Sequence, residues 1–242
     1  MERVALAEEL LLLAYDDETG KATGSRIALD LGMSAAVLVD LALVGRLSLD
    51  GPRLRHTDDA PTGEAIADGV LARIAADTPQ SPAAWLQRLR HGLRDALLRD
   101  LCGRGVIRDV DETALDVIHL HRYPTVDRSV EKDVRTRLAD ALTGTGTVDE
   151  RTAALAALVA ATRMEPTLGL PADEVPAAHA RLEEIAAKAG FSGAVIAAHS
   201  IVRPSVAALI GALCRAIETA LGRTPAPRSA PPAATPTPDP TH

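Results

Sequence analysis

The chain has 242 residues, and 47% of them are hydrophobic although only 2% are aromatic. Its core must therefore consist of Ala, Leu, Val and Ile, and the abundance of Ala and Leu favours helices. The formal net charge of −7 argues against a generic nucleic-acid binder, whose surface is usually basic.

The sequence carries no pattern of a secreted or membrane-spanning protein. Cys102 and Cys214 lie far apart without a CxxC partner, and we expect both to be reduced core residues. The leucine run at 10–13 lacks the basic flank of a signal peptide. The longest apolar stretch, 193–202, is shorter than the roughly 20 residues that span a bilayer. We expect a cytoplasmic protein, attached at most peripherally to the cytosolic face of a membrane.

Apolar residues recur at helical spacing, which predicts a mainly α protein: a single-domain helical bundle with short β-hairpins. Residues 27–44 are apolar on nearly every side and should form a buried central helix. Thr62, Thr125 and a capping box at 147–150 should begin later helices. The other predicted helices are 4–15, 82–104 with a break near His91-Gly92, one after 171–173 that ends near 188, and 192–221 with a kink at Pro204.

Two hairpins are predicted between the helices. Asp50-Gly51, between Leu49 and Leu54, is a strong hairpin signal. A second hairpin is expected over 106–123, with a polar turn at 109–112.

The composition changes after Gly222. Residues 223–242 contain seven prolines and almost no bulky apolar residue. Such a segment buries too little apolar surface to offset the entropy of ordering. We therefore expect one helical domain over 1–222 and a disordered Pro/Ala/Thr-rich tail over 223–242.

Four segments carry a resemblance to a known family: 6–13 (LAEELLLL), 40–47 (DLALVGRL), 59–63 (DAPTG) and 101–107 (LCGRGVI). Their order and approximate spacing, from Leu6 to about Leu213, are similar to those of the Golgi phosphoprotein 3 family. The Arg- and Ala-rich composition suggests a bacterial branch. The resemblance implies an all-helical fold and a non-enzymatic, peripheral membrane adaptor. Such a protein would bind phosphatidylinositol 4-phosphate and the cytosolic tails of client proteins.

The resemblance also suggests where the lipid pocket lies. The family uses a Trp and an Arg near the start of the central helix, and two Arg one turn apart on a later helix. Here the first two positions are Ser25 and Ser34, and the later two are His91 and Arg94. Only Arg94 keeps the family residue, so the resemblance implies an anion site more firmly than one particular phosphoinositide.

Residues 88–108 contain six Arg against three Asp, a local excess of three positive charges in an acidic protein. Arg90 and Arg94 are four residues apart, which predicts a shared helix face. Two guanidinium groups can hold phosphate oxygens with fork geometry. The alternative is a solvated helix whose Arg side chains pair with Asp95 and Asp100. The expected headgroup-binding residues are Arg94, His91, Arg90 and, from the neighbouring helix, Arg26.

In the family, the second hairpin assists membrane insertion. The residues that would do so here are Leu115, Val117, Ile118 and Leu120. Polar neighbours interrupt this apolar surface, so an oligomer contact and packing on the core stay open as alternatives.

The sequence predicts no catalytic residue, cofactor or metal site. His119 and His121 would share one face of a strand, but no further zinc ligand is near them in sequence. Two alternative functions stay open. One is a protein–protein scaffold or regulatory module that keeps the fold without phosphoinositide binding, and the other is a winged-helix-like DNA binder. The expected partners are anionic membrane phospholipid, protein clients and a homo-oligomer, and no nucleic acid.

Overall fold

The computed structural model of the chain describes residues 4–114, 118–145, 148–191 and 202–223. Over these ranges the protein is mainly helical, as predicted, with two separate two-stranded antiparallel sheets. The helices are α1 (Leu6–Ala14), α2 (Arg26–Leu43), α3 (Ala65–Ala75), α4 (Pro82–Leu89), α5 (Leu93–Gly103), α6 (Arg128–Thr143), α7 (Glu150–Thr162), α8 (Val175–Lys188) and α9 (Pro204–Ala220). The strands are β1 (Leu47–Asp50), β2 (Arg53–His56), β3 (Val110–Ala114) and β4 (Ile118–Arg122), and a 3-10 helix spans Glu165–Leu168.

The central position predicted for the second helix is confirmed. α2 packs against α1, α7 and α9, and also contacts α3, α4 and α5. Leu31, Leu38 and Leu41 of α2 are completely buried. A fully buried Leu side chain stabilises a fold by about 1.5–3 kcal/mol. The apolar surface of α2 therefore holds the surrounding helices together.

Thr62 was expected to cap the third helix, and this prediction is wrong. α3 begins at Ala65 with Glu64 in the cap position. The hydroxyl of Thr62 instead donates to the Asp68 carboxylate at 2.7 Å, and the Thr62 amide donates to the same oxygen at 2.7 Å. Asp68, in the first turn of α3, thus holds the segment that leads into the helix.

Two further caps also differ from the prediction. Asp127, not Thr125, caps α6, because its side chain accepts from the Ser129 amide at 2.9 Å. Asp149 caps α7 by accepting from the Thr152 amide at 2.7 Å, whereas position 147 lies outside the described residues. In both cases the capping side chain comes from the residue directly before the helix, within reach of its first free amides.

The break predicted near His91-Gly92 is confirmed, but the kink at Pro204 is not. Gly92 has a φ of +81°, and it separates α4 from α5. Arg90 is the C-terminal cap of α4 and Arg94 lies in α5, so the shared helix face predicted for them is wrong. Pro204 is the first residue of α9. The first backbone N–H groups of a helix have no partner within the helix, so a proline there removes no hydrogen bond. The predicted part of this helix before it, 192–201, lies outside the described residues.

The first hairpin is confirmed, with Leu49 opposite Leu54. The turn predicted at 109–112 in the second hairpin is wrong. In that hairpin β3 pairs with β4 from Val110 opposite Arg122 to Ala114 opposite Ile118, so most of the predicted turn lies within a strand. A two-stranded ribbon with a solvated face accepts polar residues at strand positions, which explains the error. The connection, 115–117, lies outside the described residues.

None of the helices in the described ranges is both long and apolar enough to cross a membrane. Cys102 and Cys214 are both free thiols. Beyond Arg223, the predicted Pro-rich tail lies outside the described residues.

Candidate functional site

The beginnings of α2 and α5 meet at one end of the bundle. Arg94, in the first turn of α5, donates from Nη2 to Asp30 Oδ1 at 2.5 Å and to the Arg26 carbonyl at 3.1 Å. Its side chain is only 8% exposed, against 22% for that of Asp30. The sequence suggested a surface ligand, but Arg94 is a buried ion-pair partner. Its contacts position the first turn of α2.

The other three predicted headgroup residues remain accessible at the same end. Arg26 and His91 are exposed, and Arg90 is half-buried. Nε of Arg90 lies 3.3 Å from Nε2 of His91. Within the described part of the chain, none of the three forms an ion pair with a carboxylate. Arg26 comes from the start of α2, and Arg90 and His91 come from the short link between α4 and α5. Their binding of a headgroup stays a prediction.

An apolar side chain lies beside these basic groups. Ile27 follows Arg26 in the first turn of α2 and is 55% exposed. A large exposed aliphatic residue next to a guanidinium group without a carboxylate partner is typical of helices that lie at the boundary between charged headgroups and an apolar layer. We call Arg26, Ile27, Arg90 and His91 the basic end.

The two serines at the family's pocket positions have structural roles here. Ser25 caps α2 by accepting from the Ala28 amide at 3.3 Å. Ser34 is completely buried, and its hydroxyl donates to the Asp30 carbonyl at 2.8 Å. Ser34 therefore faces the interior of the bundle.

Both tyrosines of the chain pack together near the basic end, a feature that the sequence reasoning missed. The rings of Tyr15 and Tyr123 meet edge to face, with centroids 5.8 Å apart. Burial raises the pKa of the Tyr15 hydroxyl, and the nearby charges of Arg94 and Arg26 oppose that shift. The sequence has only two Tyr. This rarity marks them as unusual residues, but it does not predict that they contact each other.

A hydrogen-bonded pair of His121 and Asp109 lies at the base of the second hairpin. Nδ1 of His121 lies 3.0 Å from Oδ1 of Asp109, and this hydrogen bond raises the pKa of the His121 imidazole. The imidazole also stacks on the Tyr123 ring. Both partners are about half exposed, so the pair contributes little stability.

The predicted membrane-contacting residues are only partly covered. Leu115 and Val117 lie outside the described residues. Ile118 and Leu120 belong to β4, where the structure describes the backbone but not these two side chains. Their contact with a membrane stays a prediction. Val126, which follows the hairpin, is 58% exposed.

Three arginines outside the basic end form ion pairs with carboxylates of α1. Arg104 pairs with Glu8 and with Asp100, as the solvated-helix alternative suggested for Asp100. Asp40 accepts from Arg151 at 2.8 Å, and burial raises its pKa to about 6. The further pairs are Arg137 with Glu9 and Arg151 with Glu9.

No group of three or more His, Cys, Asp or Glu in the described ranges could hold a metal ion.

The comparison with protein families agrees with the fold. The family model described as Golgi phosphoprotein 3 (GPP34) matches residues 6–213. The match begins at the first residue of α1, ends within α9, and includes the basic end. It covers most of the chain, and the protein belongs to the Golgi phosphoprotein 3 family.

Proposed function

We propose that this protein is a peripheral membrane adaptor that binds anionic phospholipid headgroups through the basic end. The observation that supports this most is the combination of Arg26, Arg90 and His91, without carboxylate partners in the described ranges, with the exposed Ile27. The protein carries a net charge of −7. Because this net charge opposes approach to an anionic bilayer, a local surface with two guanidinium groups that have no carboxylate partner in the described ranges can supply the attraction.

Binding would proceed through three contributions. Coulomb attraction brings the basic end to the surface, and each basic residue there contributes about 1 kcal/mol at an anionic bilayer. The guanidinium groups of Arg26 and Arg90 then donate to phosphate oxygens. Ile27 enters the boundary between headgroups and acyl chains, where its burial adds to the binding.

Family membership makes phosphatidylinositol 4-phosphate the headgroup that we propose first. Ser25 and the buried Ser34 stand where the family pattern has a Trp and an Arg, so this site has fewer cationic donors than the family pattern does. Arg94 is engaged with Asp30. We therefore expect headgroup charge to govern binding more than headgroup stereochemistry. The adaptor role, with protein clients on the cytosolic face of a membrane, is part of the same proposal.

Vesicle flotation tests this proposal. Vesicles of phosphatidylcholine alone are compared with vesicles that also contain phosphatidylserine or phosphatidylinositol 4-phosphate. We expect retention by the two anionic compositions only, and a loss of about 30-fold for Arg26→Ala/Arg90→Ala, from two contributions of about 1 kcal/mol each. Arg94 is unsuitable for this test because its removal would leave Asp30 unpaired.

The matched control is Arg53→Ala/Arg73→Ala, which removes the same charge from two exposed positions on β2 and α3. It should reduce retention much less than the double change at the basic end. Equal retention by neutral vesicles, or equal effects of the two double variants, would contradict the proposal. Folded protein that no vesicle retains would favour the scaffold alternative.

A further inference from the structure

A second surface feature is a groove that shares no residue with the basic end. It runs along α9, beside the start of α4 and the turn of the first hairpin, and has a volume of about 540 Å³. Among the described residues that line it, none is aromatic and none is acidic. The apolar residues of its walls include Leu49, Pro52, Ala83, Leu86, Ala212 and Ala216. The groove therefore suits an apolar segment of polypeptide.

Two polar side chains of the groove are free to donate hydrogen bonds. Arg215 lies on α9 and Gln87 lies on α4. Within the described part of the chain, neither side chain forms a hydrogen bond or an ion pair. Glu218 follows Arg215 by three residues, but it does not line the groove and no ion pair joins the two. Arg215 is thus the one charged residue of the described lining, and the groove favours an occupant with hydrogen-bond acceptors and a negative charge.

The chain continues beyond the described residues from a point beside this groove. Ala220, in the last turn of α9, lines the groove, and the described part of the chain ends shortly after it, at Arg223. Residues 224–242 follow, and they consist mainly of Pro, Ala and Thr. Between 229 and 241, Asp239 is the one charged residue. The segment that starts at the groove therefore carries a single negative charge among small side chains.

The backbone chemistry of this segment is complementary to the groove. Proline has no N–H group, and the polyproline II conformation that Pro-rich segments adopt has no internal hydrogen bonds. Residues 235–240 (TPTPDP) therefore present mainly carbonyl acceptors, which Arg215 and Gln87 can satisfy. The wall of α9 from Ala212 to Ala220 is about 12 Å long. About four residues of polyproline II, at about 3.1 Å each, cover that length.

We propose that residues 235–240 of the chain's own Pro-rich tail occupy this groove, with the carboxylate of Asp239 paired with the guanidinium of Arg215. The intervening residues 224–234 span about 18 Å or more as a flexible chain, which is longer than the groove. They can therefore bring the segment back along α9. The inference is independent of the membrane proposal, because the groove and the basic end share no residue.

Weak affinity is sufficient for this contact because the segment is tethered. Grooves that bind polyproline II segments are usually lined by aromatic side chains, and the described lining has none. We therefore expect a low intrinsic affinity, with a Kd of about 1 mM. A short linker holds a tethered segment at a local concentration of about 1 mM, so about half of the molecules would have the groove filled. The composition of the tail predicts no fold of its own, and docking does not require one.

NMR relaxation of the full-length, isotope-labelled protein tests the inference. We expect the heteronuclear NOE values of the Thr237 and Asp239 amides to be clearly more positive than those of Ser229 and Ala230, which belong to the linker. The difference should not change with protein concentration. Ala83→Phe should abolish it, because this exposed alanine lines the groove and a phenyl ring would fill the space.

The proposed ion pair is tested by a double-mutant cycle. Arg215→Gln and Asp239→Asn should each lower the equilibrium constant for docking about threefold, since an exposed ion pair contributes modestly. The double variant should lose no more than either single variant, because both substitutions remove the same contact. Fully additive losses would overturn the pairing of these two residues.

Two controls match these variants. Arg73→Gln removes a charge from an exposed position of α3, and Ala187→Phe adds a ring at an exposed position of α8, and neither residue lines the groove. Both should leave the NOE values of the tail unchanged. Equal values along the whole tail, or an ordered tail in Ala83→Phe, would overturn the inference. So would ordering that increases with protein concentration, which would identify the occupant as the tail of a second copy.

Discussion

Arg94 Nη2 lies 2.5 Å from Asp30 Oδ1, and this pair joins α5 to α2 beneath the basic end. Removal of one partner of a buried ion pair leaves an uncompensated charge and costs about 3–5 kcal/mol. We expect Asp30→Asn to lower the free energy of unfolding by about 3 kcal/mol, measured by urea denaturation. It should also increase retention on anionic vesicles, because the charge of Arg94 is no longer neutralised.

Asp95→Asn is the matched control for this change. Asp95 is exposed in the first turn of α5, and its carboxylate forms no ion pair within the described part of the chain. The substitution removes the same charge but should change the free energy of unfolding by less than about 1 kcal/mol. Similar instability of the two variants would show that the buried pair is not what Asp30 contributes.

Ile27 provides a test of the apolar contribution to membrane binding. We expect Ile27→Ser to weaken retention on anionic vesicles about tenfold, because burial of an Ile side chain contributes about 1.5 kcal/mol or more. Stability should be nearly unchanged, since the side chain is 55% exposed. Val44→Ser is the control, at a residue that is 52% exposed at the opposite end of α2. If both variants lose retention equally, insertion at the basic end is contradicted.

Glu131 should make stability depend on pH. Its pKa in the folded protein is raised to about 7, chiefly by burial and then by Asp17, from an ordinary value of 4.5. A raised carboxyl pKa means that the folded state binds the proton more tightly than the unfolded state does. The contribution is therefore complete below pH 4.5 and is lost as the pH rises through 7, by at most about 3 kcal/mol.

Glu131→Gln should remove most of this pH dependence, because the amide is neutral throughout the range. The measurement is the free energy of unfolding between pH 5 and pH 8, which should fall more steeply for the unchanged protein than for the variant. Parallel curves for the two proteins would show that Glu131 titrates normally in the folded state.

Gly20 and Gly24 form a matched pair in the loop before α2. Both have positive φ, +62° and +77°, which favours glycine. A Cβ at Gly20 would lie 2.4 Å from backbone nitrogens of Tyr123 and Pro124, whereas a Cβ at Gly24 would meet nothing within 4 Å. Gly24→Ala should cost about 1 kcal/mol.

Gly20→Ala should cost clearly more, because backbone atoms must move and the contact between Tyr15 and Tyr123 opens with them. Urea denaturation gives the energies, and near-ultraviolet circular dichroism reports the tyrosine packing. If the two substitutions cost the same amount, the close approach at Gly20 is not significant for stability.

Local signals in the sequence were sufficient for much of the fold. The continuous apolar character of 27–44 located α2, and Asp50-Gly51 located the first hairpin, because both features act over a few residues. The turn of the second hairpin was misplaced because β3 carries the polar residues Asp111, Glu112 and Thr113, which are as typical of a turn as of a strand.

The site was harder to predict, because its contacts are long-range. Asp30 and Arg94 are 64 residues apart, and nothing local distinguishes a buried arginine from an exposed one. The sequence therefore grouped Arg94 with Arg90 and His91 as headgroup ligands and gave no sign of its buried pair with Asp30. The sequence indicated the break at Gly92. The directions in which Arg90 and Arg94 point after that break depend on the course of the backbone, which only the structure gives.

Asp40 also determines whether α1 can exist by itself. Its Oδ2 accepts from the Leu6 amide at 2.8 Å, so a residue of α2 satisfies the first turn of α1. α1 has nine residues, and isolated helices shorter than about 12–15 residues are marginal in water. The Leu6 amide therefore finds this acceptor only after a residue 34 positions further along the chain has been translated. Within α1 itself, Glu8 accepts from the Ala5 amide, so α1 combines one local cap with one that α2 supplies when the two helices pack together.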